Sequence, residues 1–151
     1  MFLKNADFGD LDALCALEQT CLSEDPWSRD SLASCIADPM CITRMALIDG
    51  ACVGYICARL IPNEAEVYRV ATLPSHRRKG VGSALLASFL GSATSRGCDT
   101  FFLEVRASNT AAQGLYTSFG FEVMGTRRGY YRNPREDGVM MRLLWKEDEQ
   151  C

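Results

Sequence analysis

Three places in this 151-residue chain combine residue types and spacing that could do chemistry. The run Arg77-Arg78-Lys79-Gly80-Val81-Gly82 follows an apolar stretch and leads into a helical pattern from Ser83. A basic, glycine-punctuated turn at a helix N-terminus suits a pyrophosphate. Glycine lets the backbone come close, and the first helical N–H groups have no partner within the helix. Glycines that merely turn the chain would look the same in isolation. Glu104 interrupts the apolar run Phe101-Phe102-Leu103 and Val105, and Tyr116 lies on the apolar face of a helix with Ala112, Leu115 and Phe119. A partly desolvated carboxylate and a phenol can accept and donate a proton in general acid–base chemistry. On pattern alone, Glu104 could equally be a surface residue of an edge strand or a buried carboxylate paired with arginine. Tyr116 could be a core aromatic with one hydrogen bond.

The elements that must position these groups alternate along the chain. Asp7 can cap a first helix with Leu11, Leu14, Cys15, Glu18 and Cys21–Leu22 at helical spacing. Pro26-Trp27 breaks the chain, and Ser28 caps a short helix through Leu32, Cys35 and Ile36 that Pro39 stops. Residues 41–48 and 51–60 read as strands joined at Asp49-Gly50, a two-residue hairpin signal. A strand over 65–73 precedes the basic turn, and Gly97 ends the helix after it. Thr100–Val105 reads as a strand, and Gly120 closes the following helix. Two last strands, near 121–128 and 138–145, leave a connection rich in Arg and Tyr. The expectation is one α/β (α+β) domain over 1–145 and an acidic tail over 146–151.

Composition narrows the function classes. Charged residues make up 23% and apolar ones 48%, an ordinary globular balance, and the net charge of −3 argues against bulk nucleic-acid binding. No apolar run reaches membrane-spanning length, and no signal-peptide core follows Met1-Phe2-Leu3-Lys4. The eight cysteines contain no Cys-x-x-Cys pair and His76 is the sole histidine. A metal site is therefore not expected, and the thiols read as reduced core residues of a cytoplasmic protein.

The basic turn fits the Arg/Gln-x-x-Gly-x-Gly/Ala coenzyme A signature and, with the order of elements, resembles the GNAT superfamily of N-acetyltransferases. Leu103-Glu104-Val105-Arg106-Ala107-Ser108-Asn109, Leu115-Tyr116 and Phe119-Gly120-Phe121 are similar to the bacterial ribosomal-protein-alanine N-acetyltransferases. So are Pro26-Trp27-Ser28, Arg127-Arg128-Gly129-Tyr130-Tyr131 and Arg135-Glu136-Asp137. The resemblance implies a mixed, mostly antiparallel seven-stranded sheet flanked by about four helices, with two central strands splayed around acetyl-CoA. It implies that the backbone of Val70, Ala71 and Thr72 holds the pantetheine arm, that Arg77, Arg78, Lys79, Gly80, Val81, Gly82 and Ser83 cradle the pyrophosphate, and that Asn109 contacts the cofactor. It implies Glu104 as general base and Tyr116 as general acid. Thr72 stands where relatives more often carry an aliphatic residue, and Gly129 where the subfamily usually has Asn.

The acceptor can be argued from magnitudes. An α-amine of pKa about 7.8 is roughly a tenth neutral at pH 7, whereas a lysine at about 10.4 is neutral in only a few parts in ten thousand. A lone carboxylate base suits a protein N-terminus, with a small amine or free amino acid as the other enzymatic reading and a non-catalytic coenzyme A sensor as the reading from another class. Pro26-Trp27 and Tyr130-Tyr131 could grip the acceptor peptide. On pattern alone, Pro26-Trp27 could be a helix breaker and a core Trp. The Arg/Tyr hairpin could be a solvated end or an RNA-stacking patch.

Overall fold

Alternating apolar residues between 41 and 72 fold into the three antiparallel strands on which the rest is built. In chain order the elements are β1 (Phe2–Asn5), α1 (Leu11–Cys21), α2 (Arg29–Ala37), β2 (Cys41–Ile48), β3 (Ala51–Ile61), β4 (Glu64–Thr72), α3 (Val81–Ser95), β5 (Thr100–Arg106), α4 (Thr110–Ser118), β6 (Glu122–Tyr131) and β7 (Glu136–Leu144). The computed structural model describes residues 1–146, so the expected tail lies outside the described residues from position 147 on. One sheet runs β1-β2-β3-β4-β5-β7-β6, with β4 and β5 parallel and every other neighbour pair antiparallel. Asp49 and Gly50 both take positive φ at the β2–β3 hairpin, as its two-residue turn requires.

Helices cover both faces of the sheet, so β3 is buried almost continuously from Val53 to Ala58. Against one face α1 and α2 bury Leu14, Leu17 and Leu32 with Met45, Tyr55 and Cys57. Against the other, α3 packs Leu85, Leu86 and Phe89 on Ile56, Phe101 and Leu103, with Tyr116 of α4 and Phe121 completing the layer. Gly54 permits the closest approach, since a Cβ there would sit 2.7 Å from the Ala71 carbonyl oxygen and 2.9 Å from Val81.

The feature that matters for function is where two neighbours part. β4 and β5 pair only from Glu64↔Thr100 to Val67↔Leu103. The β3–β4 register then shifts: Ala58 pairs with Val67 and Cys57 with Arg69, leaving Tyr68 as an extra residue in β4. Such a bulge bends its strand and raises the local twist. Beyond it β4 stays with β3 as far as Thr72↔Gly54, β5 stays with β7 as far as Arg106↔Gly138, and a V opens between them.

Three local expectations are corrected. α3 begins at Val81 rather than Ser83, because Gly80 at φ 81° is the residue before the helix and its carbonyl accepts the first bond, from Ala84 N–H. Asp7 caps a short 3-10 turn, Phe8–Asp10, with a reciprocal bond from its own N–H to Asp10, and α1 follows that turn. The Arg/Tyr segment is not a loop: Arg127–Tyr131 belongs to β6, whose register against β7 shifts between Arg127 and Tyr131. Gly129 at φ 60° lets the chain make that irregularity, and its N–H donates to Asp137 Oδ1 at 2.8 Å.

Candidate active site

The V is lined on one side by the free edge of β4. Leu73 N–H donates to the Val53 carbonyl, which makes Leu73 and Ala71 the residues bonded to β3. By antiparallel alternation the backbone groups of Val70 and Thr72 turn the other way, into the V. Ala71 therefore offers the opening no backbone bond, unlike its two neighbours. The Thr72 carbonyl already accepts Arg77 Nε at 3.3 Å and the Cys21 thiol at 3.5 Å, which folds the basic turn back over the end of β4.

At the head of the V stands the α3 N-terminus. The N–H groups of Val81, Gly82 and Ser83 precede the first intrahelical bond and are free to meet an anion. A Cβ on Gly80 would meet nothing within 4 Å, whereas one on Gly82 would meet Leu115 of α4 at 3.2 Å and lie 3.9 Å from Thr72 Oγ1. Gly82 thus lies where α3, α4 and β4 converge. Arg77, Arg78 and Lys79 are exposed, and among the described residues none of them is paired with a carboxylate. Asn109 caps α4 through its side chain, accepting Ala112 N–H at 3.1 Å. Free donors, open glycine and unpaired positive charge fit a diphosphate.

The other side of the V carries Glu104. Its Oε1 forms an ion pair with Arg127 Nε at 3.1 Å, while Oε2 is buried and, among the described residues, the one buried side-chain polar atom without a hydrogen-bond partner. An orphaned carboxylate oxygen is costly to hold and signals a partner yet to arrive. Tyr131 is within electrostatic reach of both Glu104 and Tyr116. Its phenol is pushed up to about 12 by burial, and then by the negative charge of Glu104. Tyr116, packed on Phe121 with ring centroids 5.8 Å apart, is itself pushed up by burial and by Tyr131. Tyr116 therefore keeps its proton throughout the neutral range.

The two segments expected to grip an acceptor lie on the α1/α2 face with Glu104, whereas Tyr116 belongs to the layer on the α3 face. Trp27 packs on Tyr68, at the β4 bulge, with ring centroids 5.9 Å apart. Tyr130 and Tyr131 meet edge to face at 5.0 Å, under the guanidinium groups of Arg127 and Arg106 respectively. Arg106 also reaches Glu24 of the α1–α2 loop at 3.9 Å, so it bridges both segments. Pro26, beside Trp27, is half-buried in the same loop.

Sequence reasoning missed the anchor beneath that loop. Glu18 is fully buried, and its carboxylate accepts Trp27 N–H at 2.7 Å, the Tyr55 hydroxyl and the Arg69 guanidinium. Arg69 in turn donates to the Asp25 carbonyl at 2.8 Å and lies 5.2 Å from the centre of the Trp27 ring. The only early signal was an acid on the apolar stripe of α1. Among the described residues no three Cys, His, Asp or Glu side chains converge to hold a metal ion, and no helix is long and apolar enough to cross a membrane.

Residues 11–121 match the family model described as acetyltransferase (GNAT) family. The chain is 35% identical over 120 residues to the ribosomal protein bS18-alanine N-acetyltransferase of Escherichia coli strain K12, spanning 78% of this chain and 80% of that one. It is 36% identical over 128 residues to an N-alpha-acetyltransferase of Mycobacterium tuberculosis, spanning 82% and 79%. The crystal structure of the ribosomal-protein-S18-alanine N-acetyltransferase from Escherichia coli superposes with a TM-score of 0.87 at 32% identity, covering 95% of this chain and 92% of that one. A splayed β4–β5 pair below a free basic helix N-terminus, and a family match over most of the chain, lead to one assignment: the chain belongs to the acetyltransferase (GNAT) family and is an N-acetyltransferase.

Proposed function

We propose that this chain acetylates the α-amine of a protein N-terminus, with the N-terminal alanine of a small-subunit ribosomal protein as acceptor and Glu104 and Tyr116 as base and acid. The observation that carries the reading is the unpartnered Oε2 of Glu104, buried beside the V and below the tyrosine hairpin. Arg127 pairs with the other oxygen, which leaves this one available to a proton donor. Acetyl-CoA, held by Val70, Thr72 and residues 77–83 with Asn109 nearby, supplies the acetyl thioester. Ala71 packs its side chain into the core under α1 and α2.

Glu104 Oε2 takes the proton of the acceptor ammonium, which frees the nitrogen lone pair for the acyl carbon. The new C–N bond replaces the C–S bond. Tyr116 donates its hydroxyl proton to the departing sulfur. Burial raises the Tyr116 phenol, so it works by being placed at the sulfur and not through a lowered pKa. The acceptor peptide lies between Pro26-Trp27 and Tyr130-Tyr131, whose rings offer flat apolar contact and hydroxyls to a peptide backbone. The names of the relatives in Escherichia coli support the ribosomal acceptor. The pKa argument for an α-amine is independent of them.

The test compares a peptide with a free N-terminal alanine against the same peptide N-terminally blocked and carrying an internal lysine. Mass spectrometry should find the first acetylated at its α-amine and the second unchanged. Faster acetylation of the blocked peptide, or of a small polyamine, would replace the N-terminal reading.

A further inference from the structure

Away from the V, on the α1/α2 side of the sheet, lies a second group of chemically capable side chains. Cys35 on the last turns of α2 and Cys41 at the first position of β2 line one cleft of about 410 Å³ with Asp38, Arg44, Ser92 and Arg96. Cys57, on β3, is buried behind them and carries a bond from the Thr43 hydroxyl at 3.5 Å. All three are free thiols. Only a short turn separates Cys35 from Cys41, and it is held firmly. Asp38 N–H donates to the Cys35 carbonyl at 3.2 Å, Cys41 N–H to the Asp38 carbonyl at 3.0 Å, and Met40 N–H to Asp38 Oδ1 at 2.8 Å. Arg59 pairs with Asp38 at 3.5 Å and pins the turn to β3.

We propose that Cys35 and Cys41 form a reactive thiol pair that a hydroperoxide oxidises reversibly to a disulfide. Geometry separates this pair from the other cysteines. Its two thiols line one solvent-facing cleft at the two ends of a tethered turn. Since no three potential ligands converge on a point among the described residues, the cluster suits pairwise sulfur chemistry better than metal binding. The electrostatics agree. The Cys57 thiol hydrogen-bonds a charge on Cys35, with the Cys41 thiol and Arg59 adding to it, and Cys35 is lowered from the usual thiol value. Cys41 and Cys57 move up, so their protons stay on. One thiolate beside a protonated thiol is the arrangement that peroxide-sensing pairs need.

The Cys35 thiolate attacks the distal oxygen of the hydroperoxide. An S–O bond forms as the O–O bond breaks, and the leaving alkoxide or hydroxide takes a proton. The Cys41 sulfur then attacks Cys35 sulfur; S–S replaces S–O, and the Cys41 proton leaves with the hydroxide as water. Two thiols lose two electrons and one peroxide gains them. Cys41 is the second partner because it lines the cleft, whereas Cys57 is enclosed by the sheet.

The test treats the intact reduced protein with hydrogen peroxide and maps thiols by mass spectrometry over time. The expected result is a cross-link between the Cys35 and Cys41 peptides, removed by dithiothreitol, that appears at least tenfold faster than any oxidation at Cys15, Cys52 or Cys98. In Cys41→Ser, dimedone should instead label Cys35. A cross-link through Cys57, or loss at Cys35 no faster than at Cys52, would overturn the proposal. The thiol time course is read on the native chain, so misfolding of the Cys41→Ser variant cannot obscure it.

Discussion

Two glutamates lie on the α1/α2 face of this sheet, and their surroundings differ in one decisive respect. Glu18 is enclosed, and both of its oxygens are occupied by Trp27 N–H, the Tyr55 hydroxyl and Arg69. Glu104 is held through one oxygen by a half-exposed arginine, and its second oxygen has nothing. The first arrangement is complete and can only hold the α1–α2 loop in place. The second is incomplete by one proton donor. Satisfaction, more than burial, separates the scaffold carboxylate from the one proposed to react, and the contrast can be broken by experiment.

The largest effect expected is on stability, from Glu18→Ala. It would strand the Arg69 guanidinium, the Tyr55 hydroxyl and Trp27 N–H together, and removing one partner of a buried ion pair costs about 3–5 kcal/mol. Denaturant unfolding should show a loss of that size. Glu104→Gln should stay within about 1 kcal/mol of the parent, because it removes a partly exposed ion pair and an unsatisfied charged oxygen at once. Equal destabilisation by both would erase the distinction.

Activity should reverse the order. Glu104→Gln keeps the shape but cannot take the proton, so kcat/KM should fall by about a hundredfold, near 2.7 kcal/mol of transition-state stabilisation, with coenzyme A affinity intact. A loss that shrinks as pH rises, where the acceptor amine is already neutral, would sharpen the base assignment. A rate close to that of the parent at pH 7 would remove it.

These two residues also mark what the sequence could and could not convey. The glycine turn was legible because its chemistry is local: Gly80, Val81 and Gly82 sit within one helical turn, and only the helix start shifted. The splay between β4 and β5 came from resemblance alone, since its physical cause is a bulge at Tyr68 that no pattern in 65–73 reveals. Glu18 was visible as an acid on an apolar stripe, yet Arg69 lies 51 residues away on another strand. Gly129 read as a departure from the subfamily. It is in fact the left-handed residue of a strand irregularity that presents Tyr130 and Tyr131. The cysteines read as core thiols, but of the seven among the described residues only Cys57 and Cys98 are buried. Half-exposure follows from their places on helix flanks and strand ends, which composition does not report.

At the head of the V the comparison extends to charge of the opposite sense. Gly82→Asp would place a carboxylate against free N–H groups that should meet phosphate, and its Cβ would press on Leu115. Calorimetry should show coenzyme A affinity reduced at least about tenfold, or 1.4 kcal/mol. Unchanged affinity in a folded variant would move the diphosphate elsewhere.

The smallest effect expected is at Tyr131, and it separates the acceptor side from the donor side. Its ring lies 4.6 Å from the Arg106 guanidinium and meets Tyr130 edge to face. Truncation to Ala leaves Arg106 its bonds to Glu136 at 3.1 Å and to the Pro134 and Arg132 carbonyls, so the hairpin should keep its shape. What goes is a flat apolar surface on the side proposed to hold the acceptor. A ring contact of this kind contributes about 0.5–1.5 kcal/mol, so the peptide KM should rise roughly two- to twelvefold. Coenzyme A affinity should not move, because the residues proposed to hold it lie on β4, α3 and the start of α4. If coenzyme A affinity fell and the peptide KM held steady, the tyrosine hairpin would belong to the donor side, and the acceptor would have to enter past Trp27 alone.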